Sequence, residues 1–524
     1  MKKIFYFLAV LSIGFTACTK SDFADSYADP SKISTTTAEK QFAGFLTTNR
    51  EYVIPSYWNY FVVLRTSINH YTQSVGWENS PSQYIPGAAG ITDRWNNFYN
   101  FTSQFREFQK VFGGMSADDQ TDRRIYMIAA TIFFYDHSEK VVDLHGDIPW
   151  SDAGKLSANG GDYANSLPKY DEASAIYTKM LDDLKAFAEE LNAIVVKPGI
   201  VTGFKNQDII NNGDMTMWKR YCNSLRLRML TRVSDVGTFQ ARANTEIGQI
   251  LSTPATYPVV TSNAENIQIK IFDQNTPINS QGFQTGLEDW NGNIAGKLMI
   301  DHMKANGDPR LRAVFEPGTA SGGVYNGLDP LLASSAQNAL INGGTLAIYN
   351  RSTISRNDFF PGVLINAAEV SLIAAEYYLK NANDGVAKTA YENAIRQSVQ
   401  FYYSLRTISN DNTSGPLAPA TDAEVNAYIA SGGANWTGTT ANKLQLIGMQ
   451  KWLHFNVIQP LDNWAEVRRL NSPVLTFQTD NSNTQAQPPT RWIYPGSELT
   501  YNSVNYEAVM ANDKLTTRIF WDTN

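Results

Sequence analysis

Apolar residues return every three or four positions through most of this chain, and that spacing predicts helices. Ile125, Ile128, Ala129, Ile132, Phe133 and Val141 form one such run. Ile176, Tyr177, Met180, Leu181, Leu184, Phe187 and Leu191 form another, with acids on the opposite face. Pro168 precedes that second run, and Asp171-Glu172 put negative charge where the first turn exposes its N–H groups. The segment from Leu364 to Tyr403 says most. Ala367 to Tyr378 is rich in alanine, Asn383-Asp384-Gly385 interrupts it, and Ala387 to Arg396 resumes the pattern. Alanines alternate with tyrosines where two helices must touch closely. This reads as a tetratricopeptide-like helix hairpin, close to that motif's period of about 34 residues.

Long stretches rich in Gly, Asn, Ser, Thr and Pro separate the helical blocks. They fall at about 152–168, 252–293, 316–362, 404–440 and 472–490. Apolar and polar residues alternate from Ile267 to Phe272, which predicts a short strand. Loops of this length commonly carry function. The expected fold is mainly α, with tetratricopeptide-like hairpins as a scaffold, long irregular loops and a few short strands.

The N-terminus follows a different logic. Lys2 and Lys3 precede an apolar run from Ile4 to Phe15, which is too short to span a bilayer as a permanent helix. Phe15-Thr16-Ala17-Cys18 then reads as a lipobox, in which the Cys18 thiol takes a diacylglycerol and becomes the first mature residue. Residues 19–35 are small and polar, as in a flexible tether. The expected organisation is a signal peptide at 1–17, a lipidated tether at 18–37 and a single α-helical domain at 38–524.

Composition narrows the function. A net charge of −7 does not suit a nucleic-acid binder. Charged residues are sparse at 18% and aromatics reach 12%, a balance that suits stacking against neutral, ring-shaped ligands. Once Cys18 is acylated, Cys222 has no cysteine partner. His70, His137, His145, His302 and His454 are scattered without ligand spacing, so no metal or cofactor is expected. Asp143, His145 and Asp147 sit close in sequence, but in a turn and without a further ligand. Adjacent acids such as Asp182-Asp183 and Glu189-Glu190 point different ways on a helix. No phosphate loop, serine elbow or Cys–His pair is present, so no catalytic residue is assigned and no enzyme is expected.

A set of short strings recurs in order along the chain. His145-Gly146-Asp147-Ile148-Pro149-Trp150 forms a turn, and Leu167-Pro168-Lys169-Tyr170-Asp171 opens the next helix. Trp218 to Arg228, Asp308-Pro309-Arg310-Leu311, Gln450-Lys451-Trp452, Asn463 to Arg469, Arg491 to Pro495 and Phe520-Trp521-Asp522 follow. With the lipobox, these strings resemble the SusD/RagB family of Bacteroidota outer-membrane lipoproteins, particularly its SusD-like subgroup. The resemblance runs over essentially the whole chain. It implies an acylated protein (palmitate among its chains) on the cell surface, and Lys20 and Asp22 loosely fit the family's export signal. It also implies a SusC-like TonB-dependent transporter as partner, with this protein as a hinged lid that captures an oligomeric nutrient. An oligosaccharide is the first expectation and an oligopeptide the second. A surface hydrolase and a purely structural surface protein are the remaining readings.

Most motif residues read as structural. Arg226, Arg228, Arg468 and Arg469 are expected to pair with acids such as Glu369, Glu376 or Glu466. Asn223 is expected to tie down a neighbouring backbone. Trp95, Trp218, Trp452 and Trp464 are expected in the core. The candidate ligand residues are Trp58, Tyr60, Tyr71, Trp77, Asp289, Trp290, Asn291 and Tyr325, aromatics flanked by Asn, Asp and Gly. For Trp58 and Tyr60 a core position fits as well as a ligand face. For Trp290 the polar surroundings favour exposure.

Lipidation has a direct check. Intact mass spectrometry of the protein from membranes is expected to show cleavage before Cys18 with added diacylglycerol, and Cys18→Ser is expected to leave the protein without its anchor.

Overall fold

The computed structural model describes residues 36–524, so Cys18, Lys20 and Asp22 lie outside the described residues. Eleven helices make the scaffold. They are α1 (Ala38–Thr48), α2 (Ala88–Gly113), α3 (Arg124–His145), α4 (Ala173–Ala193), α5 (Met215–Arg232), α6 (Gly237–Ser252), α7 (Ala367–Lys380), α8 (Asp384–Ile408), α9 (Asp422–Ile429), α10 (Thr440–Phe455) and α11 (Pro460–Leu470).

Local chemistry sets many of their starts. Asp214 accepts from the Thr216 and Met217 amides at 2.8 and 3.2 Å, opening α5. Asn366 accepts from the Glu369 amide at 2.9 Å, opening α7. Thr421 and Glu424 form a capping box at α9, and Thr439 with Asn442 does the same at α10. Each such cap contributes about 1 kcal/mol. α3 is buried on all sides over most of its length, so it runs through the core. α4 carries the expected stripe, burying Ile176, Tyr177, Met180, Leu181, Leu184 and Leu191.

The expected hairpin is α7 and α8, joined at Asn381–Asn383 with Ala382 at φ +56°. Leu372, Ala375 and Leu379 pack against Ala387, Tyr391, Ala394 and Ile395 in one cluster. The alanines let the backbones approach and the tyrosine fills what they leave. Strands are few and short, as expected. β1 (Ile148–Pro149) pairs with β2 (Tyr170–Asp171). β3 (Ile267–Ile269) pairs antiparallel with β6 (Gly362–Ile365), and β4 (Phe315–Glu316) with β5 (Ile348–Tyr349). The strand predicted to reach Phe272 therefore stops at Ile269, because its partner strand runs only from Gly362. Several stretches read as loops hold short helices instead, such as Gly282–Glu288, Ser334–Asn342 and α9. Their few apolar residues fill local gaps and leave little periodicity to detect.

Buried ion pairs lock the scaffold. Arg228 on α5 reaches Glu369 on α7 at 2.5 Å and Asp136 on α3 at 3.1 Å. Arg232, one turn on, reaches Glu466 on α11 at 3.1 Å and Asp143 at 3.3 Å. Arg469 forks onto Glu376 and Glu466, each at 2.7 Å, and Lys451 on α10 reaches the same two acids at 3.0 and 2.6 Å. Two expected pairings differ. Arg226 meets Glu246 on α6 at 3.1 Å. Arg468 donates to the carbonyls of Thr490 and Asp143 and lies 3.8 Å over the Trp464 ring, since Arg469 already occupies the acids. Asn223 donates to the Pro258 carbonyl at 3.1 Å.

The network makes stability pH-dependent. Burial alone would raise the Glu376 and Glu466 carboxyls, but Arg469 and Lys451 hold both well below the ordinary carboxylate range. Because the folded values lie below the unfolded ones, their contribution is full above about pH 4.5 and falls away with further acidification. Glu376→Gln is expected to cost about 3–5 kcal/mol at pH 7, by leaving Arg469 and Lys451 short of a carboxylate. Urea unfolding at pH 7 and below pH 4 checks both statements, and the difference between variant and parent should shrink in acid.

Candidate functional site

The segment Trp58–Leu64 is a helix of wide register, in which the Arg65 amide donates to the Tyr60 carbonyl, five residues back, at 3.0 Å. The register divides its aromatics. Trp58 faces out, 44% exposed, beside exposed Tyr57. Tyr60 turns in, 4% exposed, and its hydroxyl donates to the Val457 carbonyl at 2.7 Å. Tyr57 stacks on Phe61, one turn on, with ring centres 5.1 Å apart.

This helix rests on the helix Gly282–Glu288. Contact is close because two glycines face it. A Cβ on Gly286 would stand 2.9 Å from the Ser56 carbonyl oxygen, and one on Gly282 would stand 2.8 Å from the Tyr57 nitrogen. The chain then turns sharply through Asp289, Trp290 and Asn291. Trp290 (φ +56°, ψ +36°) and Asn291 (φ +59°) both adopt the left-handed conformation. For a bulky aromatic this is a strained backbone, and such strain concentrates at functional sites. The Trp290 ring gains no burial in return, being 82% exposed.

Arg65 ties the two elements together. It donates to the Asp289 carbonyl at 3.3 Å, and its guanidinium lies 4.2 Å from the Phe61 ring centre and 5.5 Å from that of Trp77. A Cβ on Gly292 would stand 2.9 Å from the Arg65 Cδ. Beneath the turn, Arg356 holds Glu288 at 2.7 Å. The result is a shallow aromatic platform flanked by the exposed polar groups of Asp289 and Asn291.

The structure thus puts Trp58 on one of two packed elements and Asp289, Trp290 and Asn291 on the other, with Trp77 on a separate segment that meets them through Arg65. It places Tyr60 and Tyr71 elsewhere. Both are core residues, Tyr71 being 2% exposed with its hydroxyl on the Tyr84 carbonyl, because each points down from its helix into the apolar cluster that includes Trp464. Tyr325 is half-buried in another neighbourhood, beside Arg312 and Tyr403. Phe61 and Arg65 were not expected. Their signal was available, since Tyr57, Phe61 and Arg65 recur every four residues and so share one helical face. Two open grooves of about 550 and 530 Å³ flank exposed Phe272 and contain none of the expected residues.

Asp143, His145 and Asp147 are structural, and the first two lie in the last turn of α3 and not in the turn expected for them, because the helix runs on to His145 before Gly146 ends it. Asp143 accepts from the Tyr177 hydroxyl at 2.6 Å and the Trp521 indole at 2.7 Å. His145 lies among the Trp95, Trp492 and Tyr494 rings, and its burial pushes the imidazole well below its ordinary value. Asp147 accepts from the Ala173 amide at 2.8 Å, where α4 begins. Among the described residues no cluster of His, Cys, Asp or Glu could hold a metal ion, and no helix is long and apolar enough to cross a membrane.

Residues 37–495 match the SusD-like family model described as "Starch-binding associating with outer membrane". The fold is shared with solved structures of low sequence identity. One is a chitin-binding protein, 22% identical, covering 92% of this chain and 100% of its own, with a TM-score of 0.71. A SusD homologue from Bacteroides fragilis is 21% identical over 93% of this chain and 100% of its own, with a TM-score of 0.73. A Bacteroides vulgatus protein described as a putative outer membrane protein, probably involved in nutrient binding, is 20% identical over the same shares, with a TM-score of 0.69. No curated protein matches the chain.

Relief of strain tests the turn. Trp290→Gly is expected to raise stability by about 1 kcal/mol, since glycine accepts positive φ and little burial is lost. Gly286→Ala is expected to lower it by about 1–3 kcal/mol through the clash with Ser56. Urea titration of both variants provides the check.

Proposed function

The chain belongs to the SusD-like family of outer-membrane-associated binding proteins, and from that premise we propose that it captures an oligosaccharide on the Trp58–Trp290 platform for a SusC-like TonB-dependent transporter. The observation that carries this reading is the exposed Trp290 ring, held out on a strained turn that its own burial does not repay. A pyranose ring offers an apolar face of C–H bonds to such an indole, and its hydroxyls can reach Asp289 and Asn291. Arg65 and the glycine contacts keep the platform rigid, so little order has to be created on binding.

Cys18 anchors the protein through its diacylglycerol, and two chains meet the requirement for stable attachment to a bilayer. The helical scaffold presents a broad surface to the transporter. The lipoprotein closes over the barrel as a hinged lid and delivers what it holds. Capture without conversion is supported by the fate of the acids around His145, each of which is engaged in holding the fold.

Isothermal titration against starch- and chitin-derived oligosaccharides and a matched set of oligopeptides tests the ligand class. Saturable heat is expected with at least one glycan, and Trp290→Ala is expected to weaken it about tenfold or more, roughly 1.4 kcal/mol. Heat with peptides alone would replace the glycan reading. Affinity purification from native membranes is expected to bring down a TonB-dependent barrel.

A further inference from the structure

The alternation from Ile267 to Phe272 outlasts the strand it predicts. β3 pairs with β6 only as far as Ile269, which stands opposite Gly362. The next position on that side is Pro361, which has no N–H to offer Lys270. Burial nevertheless keeps the period of two beyond the pairing. Ile269 and Ile271 are buried, whereas Lys270 and Phe272 are exposed, Phe272 at 84%. None of the backbone N–H and C=O groups of Lys270, Ile271 and Phe272 hydrogen-bonds to another described residue. β3 therefore runs on as an unpartnered edge about 10 Å long.

An open groove of about 550 Å³ lies along this edge and shares no residue with the aromatic platform. It is lined by Ile271 and Phe272 from the edge, by Phe359 and Pro361 from the segment before β6, and by Leu405 and Ile408 from the last turn of α8. Among the described residues Lys270 is the one charged group on its wall, and it forms no ion pair with any of them. Open backbone groups beside apolar walls suit an extended peptide. Its main chain can pair with the edge while alternate side chains enter the groove. A cation with no acid beside it favours an acidic side chain on that peptide.

We propose that this edge is a docking site for an extended segment of a partner protein, which adds to β3 as a strand. Apolar side chains of the segment fill the groove, and an Asp or Glu among them meets Lys270. Backbone pairing holds the segment, and Phe272 and Lys270 select its sequence. The segment is read along its interior, so neither chain end is required.

Phage display of random octapeptides, fused so that neither end is free, tests the edge on the intact mature protein. Enriched sequences are expected to place an Asp or Glu between apolar residues. An enriched peptide, fluorescein-labelled at its N-terminus and amidated at its C-terminus, is expected to bind with micromolar affinity by fluorescence anisotropy. Phe272→Ala and Lys270→Glu are each expected to weaken it about tenfold or more. Thermal unfolding is expected to show both variants folded, since both side chains are exposed. Exchanging the peptide's acid for a lysine is expected to restore binding to Lys270→Glu. Absence of an enriched set would overturn the proposal, as would binding unchanged in both variants. Binding that requires a free carboxylate at the peptide's end would mark capture of fragments and overturn it as well. Loss of binding in Trp290→Ala would place the peptide on the platform, with the same consequence.

Discussion

The fold depends on charge placed where water cannot reach it. Arg228, Arg232, Lys451 and Arg469 sit among Asp136, Asp143, Glu369, Glu376 and Glu466, and together they join α3, α5, α7, α10 and α11. Burying one such group alone would be severely unfavourable, so each helix is acceptable only where the others have brought its partners. Apolar packing tolerates sliding of one helix past another. A forked guanidinium against two carboxylates does not. The network therefore acts on register, and the loops inherit the precision with which the helices are set.

The aromatic platform is one consequence. Its short wide-register helix is anchored at Tyr60, whose hydroxyl reaches the backbone just beyond α10. Gly282 and Gly286 bring the second element into contact, and Arg65 fastens the turn. Only with both elements fixed can the chain hold Trp290 in a conformation its side chain disfavours.

Parts of this were legible in the residues. The alanine–tyrosine alternation of Ala367–Arg396 signalled the hairpin, because close helix contact demands small side chains at regular intervals. The stripe on α4 was equally plain. The short helices inside the loop-like stretches were not, since elements of nine residues or fewer bury too few residues to leave a period. The platform was half legible. Trp290 stood out by its polar neighbours, whereas Tyr60 and Tyr71 look no different in sequence from Trp58. A helix whose N–H donors lie five positions beyond their acceptors rotates Tyr60 away from where ordinary spacing puts it, and nothing local announces that register.

The sequence by itself determined that the chain is helical. It also determined family membership, since ordered motifs survive where overall identity does not. These are local or linear properties, written in spacing and residue type. Only the tertiary structure decided which acid each arginine meets and which aromatics face solvent. Those outcomes depend on residues more than a hundred positions apart, such as Arg228 with Glu369 and Arg65 with Asp289, and distance in space is not encoded at any single position along the chain.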